Sequence, residues 1–284
     1  MAFAERLTAQ ITRTNSLVCV GLDPDPARFP QRFRDLGRKS AIVEFNRAIV
    51  EATSDLVCAY KPNLAFYAAQ GLDGIEALLA TRALIPAEIP VILDCKVGDV
   101  GSTATAYAAA YFGEWEFEAI TANPYQGEDS LAPFLSYPDR AVFVLCRTSN
   151  PSSADIQDML LSETGETLYM RVASRANQWN KDYPAQVGLV VGATYPGELE
   201  QVRKRCPRLP ILLPGVGAQA GDVEGSVEVG LNADGAGLIV SSSRGIIYAG
   251  GGADFAERAR NAAAAMRDQI NAVRSQKTGP VSVS

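Results

Sequence analysis

Short apolar segments recur along the whole chain, and their number and spacing limit the possible folds more than any other feature. Each is rich in Val, Ile, Leu or Cys and is continuous rather than alternating with polar residues, as expected for strands buried on both faces. The eight segments lie at residues 17–22, 56–61, 91–96, 117–122, 141–146, 187–192, 211–216 and 237–242. Patterns of amphipathic helices separate them, at residues 41–52, 74–85, 103–113, 167–179 and 253–273. Eight strand–helix units in 284 residues predict an α/β protein with a (β/α)8 (TIM) barrel rather than an open doubly wound sheet.

The domain organisation follows from the same pattern. We see no linker that would divide the chain, so we expect a single (β/α)8 barrel catalytic domain over residues 1–275. Residues 276–284, QKTGPVSVS, have no periodicity and are expected to form a flexible C-terminal tail. The stretch 147–186 is too long for a simple strand-to-helix connection, and we expect it to hold two helices.

Charge and cysteine content exclude several classes of partner. The formal net charge of −6 argues against nucleic acid or an anionic membrane surface as the main partner. No apolar run approaches the ~18 residues of a membrane span, and Glu5 and Arg6 interrupt the N-terminal segment that would form a signal peptide. The five cysteines have no C-x-x-C spacing, which favours buried thiols in a reducing compartment. We therefore expect a cytoplasmic protein whose partner is a small molecule.

Charged side chains lie where the predicted strands end, which is the face on which barrels of this kind carry their active sites. Asp23 follows the first strand and Lys61 ends the second. Asp94 and Lys96 end the third strand, and Arg244 follows the eighth. A single aspartate at such a position is more often a turn or helix cap. Ionisable groups on four strands of the same rim instead indicate a functional site.

The stretch DCKVGDVGST, residues 94–103, carries the densest group of these side chains. Asp94 and Lys96 are two positions apart on a strand, so we expect both to point toward the barrel axis and Cys95 to face the helices. Asp99 lies near the start of the next helix, where an acidic side chain suits the helix dipole. If the helix begins there, Asp99 and Thr103 share one face at spacing i, i+4.

Two loops predict a phosphate-type ligand. PGVGAQAG, residues 214–221, is a Gly-rich turn that includes Gly217 and Gln219. SSSRG, residues 241–245, adds hydroxyls, Arg244 and a potential helix start. The loops after the seventh and eighth strands of a barrel are a recurring phosphate site, so an acidic protein can still bind an anion here.

These motifs match a known family. DCKVGDVGST is similar to the D-x-K-x-x-D-[IV]-x-x-T signature of orotidine 5′-phosphate decarboxylases. The flanking segments resemble the longer bacterial subgroup of that family, and the resemblance runs from about residue 3 to residue 273. These segments are VGLDPDP (20–26), AYKPNLAFY (59–67), TANPYQGEDSLAPFL (121–135), RTSNPSSADIQ (147–157), PGVGAQ (214–219) and SSSRGIIYA (241–249).

The resemblance implies an activity. The family decarboxylates orotidine 5′-monophosphate to uridine 5′-monophosphate and carbon dioxide in pyrimidine biosynthesis, without a cofactor. It also implies a homodimer in which Asp99 and Thr103 reach into the partner's active site. By the same resemblance, Asp94 lies near the substrate carboxylate and Lys96 donates a proton to C6.

The resemblance also implies the substrate-binding residues. Asp23 and Lys61 match positions that serve the ribose hydroxyls and the charge network. Ser149, which follows the fifth strand, matches the pyrimidine contact. Gln219 and Arg244 match phosphate contacts.

The chemistry agrees with this interpretation. Loss of carbon dioxide from the ring leaves a carbanion that the ring π-system cannot delocalise, and the sequence contains no visible metal-ligand cluster or cofactor motif. Fixed charge and a local proton donor are the means that remain. A lysine held between two aspartates stays protonated, which suits a chain that contains no histidine.

Three other functions fit parts of the pattern. A Mg²⁺-dependent sugar-phosphate lyase of the same barrel superfamily would share the D-x-K-x-x-D strand, but a chelator would abolish its activity. A Schiff-base aldolase using Lys96 or Lys61 needs a lysine of lowered pKa, and neighbouring aspartates raise it. A non-catalytic sensor of phosphate ligands has no need for Asp94, Lys96 and Asp99 together.

Overall fold

The computed structural model describes residues 1–215 and 223–278. The predicted site residues Gly217 and Gln219 lie outside the described residues, as do residues 279–284.

Eight parallel strands form a nearly closed barrel, as predicted. The strands are β1 (Val18–Leu22), β2 (Ala59–Pro62), β3 (Ile92–Val97), β4 (Ala119–Ala122), β5 (Ala141–Arg147), β6 (Gln186–Val191), β7 (Ile211–Pro214) and β8 (Leu238–Ser242). Their order in the sheet is β2-β1-β8-β7-β6-β5-β4-β3. Isolated parallel bridges join the two end strands, between Tyr60 and Val91 and between Asn63 and Asp94. All the carboxyl ends of the strands therefore meet on one rim.

Helices connect the strands and surround the barrel. Within the described residues they are α1 (Phe3–Thr14), α2 (Gln31–Arg34), α3 (Arg38–Thr53), α4 (Leu64–Ala68), α5 (Gly71–Leu84), α6 (Gly101–Ala108), α7 (Glu128–Leu135), α8 (Ala154–Gln157), α9 (Leu168–Asp182), α10 (Pro196–Arg205), α11 (Val223–Gly230), α12 (Arg244–Ile247) and α13 (Phe255–Thr278). The described helices include none long and apolar enough to cross a membrane.

The helix predictions hold with shifted ends. The stretch 147–186 contains two helices, α8 and α9, as expected. The predicted helix 103–113 divides into α6 and a π-helical turn at Ala109–Glu114. Helix α13 extends three residues beyond the predicted domain end at 275, to Thr278. In this extension Lys277 Nζ donates to the backbone oxygen of Glu228 at 2.7 Å.

Apolar side chains fill the barrel interior at its amino-terminal end. Ile92, Phe143 and Leu212 from three strands form one cluster with Phe3 and Leu7 of α1. The rings of Phe3 and Phe143 meet edge-on with their centroids 5.8 Å apart, a favourable aromatic geometry. Burying each such side chain stabilises the fold by about 1.5–3 kcal/mol. Helix α1 thus plugs one end of the barrel, opposite to the rim that carries the charged residues.

A cluster of aromatic rings fixes the loop after β1. The rings are those of Phe29, Phe33, Phe45, Tyr248 and Phe255. Phe29 stacks on Phe45 with 4.4 Å between centroids. The Tyr248 hydroxyl accepts a hydrogen bond from Asp25 N at 2.6 Å and donates one to the backbone oxygen of Asp23 at 3.2 Å. The cluster therefore sets the position of the loop that carries Asp23.

Candidate active site

The charged residues of the rim surround a cavity of about 220 Å³. Its lining includes Asp23, Lys61, Asp94 and Arg244, which come from four different strand ends. The structure therefore brings together four of the residues that the sequence analysis selected.

Asp94 is the centre of the hydrogen-bond network at this rim. Its Oδ2 accepts from Lys61 Nζ at 3.0 Å, and its Oδ1 accepts from Lys96 Nζ at 2.5 Å. Oδ1 also accepts from Thr121 Oγ1 at 3.0 Å. The Lys61 and Asp94 side chains are only 6% and 11% exposed, whereas the Lys96 side chain is 50% exposed. Lys96 can therefore reach a ligand, while the buried side chains of Lys61 and Asp94 stay in fixed positions beneath it.

The two buried members of this network remain charged. Burial by itself would raise the pKa of Asp94, but Lys61 and Lys96 outweigh burial and hold that pKa far below its usual range. Burial would lower the pKa of Lys61, but the negative charges of Asp94 and Asp23 raise it above its usual value. A buried ion pair contributes little net stability, yet it supplies charges whose positions do not relax when a ligand binds.

The backbone at Lys96 departs from a regular strand. Its φ of +47° lies in the left-handed region, which is uncommon for a residue with a side chain. The pairing of β3 with β4 shifts register between Leu93 and Val97. The regular alternation of side chains between the two faces of β3 is therefore interrupted, although the side chains of Asp94 and Lys96 still contact each other. Cys95 packs against the apolar cluster of the outer helices, as predicted.

Asp23 presents an unused hydrogen-bond acceptor. Its Oδ2 accepts from Ser243 Oγ at 2.5 Å. Its Oδ1 is buried and has no hydrogen-bond partner among the described residues. Because a buried carboxylate oxygen without a partner is costly, this atom suits a ligand hydroxyl.

Arg244 and Ser149 lie on two other loops of the rim. Arg244 is exposed and is the first residue of α12, which confirms the predicted helix start. Ser149 is half-buried and lies against Gly192, where an added Cβ would come within 2.7 Å of the Ser149 Cβ. Ser149 follows β5 as predicted, but it is not part of the cavity lining.

Asp99 and Thr103 do not join the charged network of their own chain. Helix α6 begins at Gly101, whose φ is +55°. Asp99 therefore lies two residues before the helix, and the condition for a helical face shared with Thr103 is not met. The Asp99 carboxylate accepts from Val100 N at 2.8 Å. In the part of the chain that the structure describes, it forms no ion pair. Thr103 is exposed.

Three polar residues have roles at the site that the sequence analysis did not assign, although it selected Ser243 as one of the hydroxyls of SSSRG. Thr121 bonds to Asp94, Ser243 bonds to Asp23, and Asn63 lines the cavity. Each lies at or just beyond the carboxyl end of a strand, which is the signal that could have identified it. Across residues 1–215 and 223–278 no group of three or more His, Cys, Asp or Glu side chains is placed to hold a metal ion.

A larger cavity of about 440 Å³ lies among the outer helices, between α10, α11 and α13. Its buried Arg203 donates from Nε to Gly230 O at 2.7 Å, from Nη1 to Leu209 O at 2.8 Å and from Nη2 to Gly237 O at 2.8 Å. These hydrogen bonds hold the ends of neighbouring elements together, so the guanidinium of Arg203 is used within the fold. We therefore assign the chemistry to the smaller cavity at the rim.

A (β/α)8 barrel with a lysine–aspartate–lysine array beside a cavity at the carboxyl ends of its strands defines a TIM-barrel enzyme for a small-molecule substrate. A model of the orotidine 5′-phosphate decarboxylase / HUMPS family matches residues 16–259. The chain belongs to this family.

Individual relatives agree with this assignment. A Thermomicrobium roseum protein named orotidine 5′-phosphate decarboxylase is 55% identical over 280 residues, which cover 98% of this chain and 98% of that protein. The structure of Leishmania donovani OMP decarboxylase matches with a TM-score of 0.82 and 41% identity, over 96% of this chain and 99% of that one. The structure of Leishmania donovani UMP synthase matches with a TM-score of 0.85 and 43% identity over 96% of this chain, which spans only 57% of that longer chain.

Proposed function

We propose that this protein decarboxylates orotidine 5′-monophosphate to uridine 5′-monophosphate and carbon dioxide, as a step of pyrimidine biosynthesis that needs no cofactor. The observation that carries the proposal is the Lys61–Asp94–Lys96 array beside the rim cavity. Membership of the family and the name of the Thermomicrobium roseum relative support it.

The chemical step assigns one role to Lys96. When carbon dioxide leaves, the bond between C6 and the carboxylate carbon breaks and the electron pair stays on C6. The ammonium group of Lys96 donates a proton to C6 and becomes a neutral amine, which solvent reprotonates. Its side chain is half-exposed, so it can reach a ligand, and its Nζ lies 2.5 Å from Asp94 Oδ1.

Asp94 and Lys61 complete the charge arrangement. Asp94 lies next to the substrate carboxylate in this proposal, and the repulsion between the two negative groups is relieved as carbon dioxide leaves. The ammonium group of Lys61 keeps Asp94 ionised, because the two side chains are buried and in direct contact. Fixed charges that already match the developing charge of the transition state need no reorganisation during the reaction.

The remaining roles concern substrate binding. Asp23 accepts a hydrogen bond from a ribose hydroxyl through Oδ1, which has no partner among the described residues, and the Lys61 ammonium donates a hydrogen bond to the ribose. Ser149 contacts the pyrimidine. Arg244 binds the phosphate, with Gly217 and Gln219 of the loop after β7. Binding energy from the phosphate, far from the reacting carbon, would assist the ordering of the site.

The proposed active form is a homodimer. Asp99 and Thr103 would each enter the partner's active site, where Asp99 would supply the second carboxylate beside Lys96. Neighbouring apolar side chains support an interface at this surface, since Val100 is 47% exposed and Tyr107 is 39% exposed. We expect the dimer in the cytoplasm, where the free cysteines that the structure contains would stay reduced.

The test is turnover by the purified protein after treatment with EDTA. We expect orotidine 5′-monophosphate to be consumed, with loss of the orotate absorbance and release of carbon dioxide, at a rate that added Mg²⁺ does not change. Activity on sugar phosphates that appears only with Mg²⁺ would favour the lyase instead. Binding of the nucleotide without any conversion would favour the sensor.

The Schiff-base aldolase receives no support from the site. A lysine of that mechanism needs a lowered pKa, whereas the pKa of Lys61 is raised by Asp94 and Asp23 despite burial. Lys96 is in contact with Asp94 as well. Treatment with borohydride in the presence of the nucleotide should leave the native activity unchanged.

A further inference from the structure

We infer that Thr121, on β4, is a positioning residue that holds Asp94 and Lys96 in the arrangement which the proposed decarboxylation needs. The inference rests on the proposed function and extends it to a residue that has no contact with the rim cavity. Its basis is the irregular pairing between β3 and β4.

Thr121 lies opposite an insertion in β3. Regular pairing holds on both sides of it, at Leu93–Ile120 and at Val97–Ala122. Between these pairs β3 contributes residues 94–96, whereas β4 contributes Thr121 alone. The insertion is a β-bulge, a device that redirects side chains next to active sites. All the residues of the D-C-K sequence are in the bulge.

Each residue of the bulge bonds to Thr121. Lys96 N donates to Thr121 Oγ1 at 2.9 Å, and Thr121 Oγ1 donates its own proton to Asp94 Oδ1 at 3.0 Å. Cys95 Sγ donates to the backbone oxygen of Thr121 at 3.4 Å. A single threonine therefore replaces the regular backbone pairing that the bulge removes.

The hydroxyl group is the part of Thr121 that matters most for the charged residues. It accepts from the backbone of Lys96 and donates to the carboxylate of Asp94, so it connects the two ends of the 2.5 Å contact between Lys96 Nζ and Asp94 Oδ1. Thr121 is only 1% exposed, so bulk water cannot take over these bonds.

The backbone of Lys96 also depends on this contact. A φ of +47° is unfavourable for lysine, and such a conformation persists only where its surroundings enforce it. The bond from Lys96 N to the Thr121 hydroxyl is the specific interaction that holds the backbone there. Without this hydrogen bond, the backbone of Lys96 would relax, and its side chain would take a different position relative to the substrate.

Two matched pairs of variants at position 121 test the inference. Thr121→Val keeps the shape and removes the hydroxyl, whereas Thr121→Ser keeps the hydroxyl. We expect the Val variant to lose about 10- to 100-fold in kcat, the range for loss of one hydrogen bond to a charged group. Its KM and its affinity for uridine 5′-monophosphate should stay within about threefold of native, because the binding residues lie elsewhere. The Ser variant should keep kcat within about threefold of native.

The second pair, Thr121→Ser and Thr121→Ala, differs only by the hydroxyl oxygen and decides the question if the Val variant does not fold. The inference is overturned if variants with and without the hydroxyl have the same kcat. It is also overturned if kcat, KM and nucleotide affinity deteriorate together, since that result describes general disruption. A native protein that does not convert the nucleotide would instead refute the proposed function, and the inference with it.

Discussion

Lys61 and Asp94 place two opposite charges at the bottom of the site, where both are largely shielded from solvent. Their side chains are 6% and 11% exposed, and 3.0 Å separates Lys61 Nζ from Asp94 Oδ2. Each keeps the other ionised against the effect of burial. The pair therefore provides a constant field beneath Lys96 over the pH range in which the enzyme would work.

The acid limb of the stability curve tests the charge on Asp94. Its pKa in the folded protein is lower than the unfolded value of 3.8, so its contribution is fully present above that value and is lost as the pH falls toward the folded pKa. At pH 6, Asp94→Asn should be about 3–5 kcal/mol less stable than native, because it leaves a buried lysine unpaired. By pH 3 the difference in the free energy of unfolding between the native protein and Asp94→Asn should narrow by about 1 kcal/mol.

Urea unfolding at the two pH values measures this change. Asp35→Asn, which removes an exposed carboxylate, serves as the control and should follow the native curve. For Lys61 the sign is opposite, since a raised pKa loses its contribution only as the pH rises above the unfolded value of 10.5. Parallel curves for native and Asp94→Asn between pH 6 and pH 3 would show that Asp94 is not held ionised.

At the scale of the elements, the loop after β5 is held by its own short helix. Gln157 of α8 accepts from Thr148 N at 2.8 Å and donates to Thr148 Oγ1 at 2.7 Å. The guanidinium of Arg147 is buried, forms an ion pair with Asp158 at 3.2 Å and lies over the ring of Tyr195. These contacts fix the backbone immediately before Ser149.

Gly192, which follows β6, forms the other side of this arrangement. A Cβ at Gly192 would lie 2.7 Å from the Ser149 Cβ and 2.9 Å from its backbone nitrogen, so Gly192→Ala must displace Ser149. We expect KM to rise about tenfold or more, since a displacement of about 1 Å can cost a hundredfold in a positioned site. Gly197→Ala is the matched control, because nothing lies within 4 Å of a Cβ there.

Steady-state kinetics and nucleotide binding on both variants measure the effect. Weaker binding of uridine 5′-monophosphate with unchanged binding of ribose 5-phosphate would agree with a role of Ser149 at the pyrimidine. If Gly192→Ala binds both ligands as the native protein does, Ser149 is not a pyrimidine contact.

The elements were largely predictable because their signals are local. Each strand is a continuous apolar segment, and each long helix has an apolar stripe. The bulge at residues 94–96 was not predictable, because it depends on the side chain of Thr121 on another strand. Helix α6 begins at Gly101, two residues before the predicted range of 103–113, and Asp99 lies outside it.

The candidate site was predictable in part. Asp23, Lys61, Asp94 and Arg244 meet in one cavity because parallel strands of a barrel end on one rim, and that rule could be applied to the sequence. The hydroxyl of Thr121 was missed, and Ser243 was selected only as one of the loop hydroxyls of SSSRG, although both lie at or near strand ends. Their roles depend on which carboxylate lies within reach.

At the scale of the whole molecule, one chain supplies only part of the proposed charge network. In the described residues of the chain, Asp94 is the acidic partner of Lys96, and Asp99 forms no ion pair. Asp99 is half-buried and precedes the exposed Val100, and α6 carries the exposed Tyr107. In the homodimer that we propose, the surface around Val100 faces a second copy of the chain, whose active site Asp99 would enter.

Mixed dimers test this arrangement. Lys96→Ala and Asp99→Ala should each be inactive alone, because each removes one group from every site. After subunit exchange, half of the dimers should contain one intact site, so the mixture should recover about one quarter of native activity. A mixture that is no more active than either variant would contradict a site shared between two chains.

The most direct test of the central claim is single-turnover decarboxylation of orotidine 5′-monophosphate by Lys96→Ala. Lys39→Ala, which removes an exposed lysine that pairs with Glu76, is the control. The account predicts that Lys96→Ala slows the chemical step by about a thousandfold or more, since it removes both the proton donor and a charge at the reacting carbon. Its affinity for uridine 5′-monophosphate should stay within about tenfold of native, and Lys39→Ala should react as the native protein does. A Lys96→Ala protein that reacts within about tenfold of the native rate would contradict the account, because general acid catalysis is worth about a hundredfold or more.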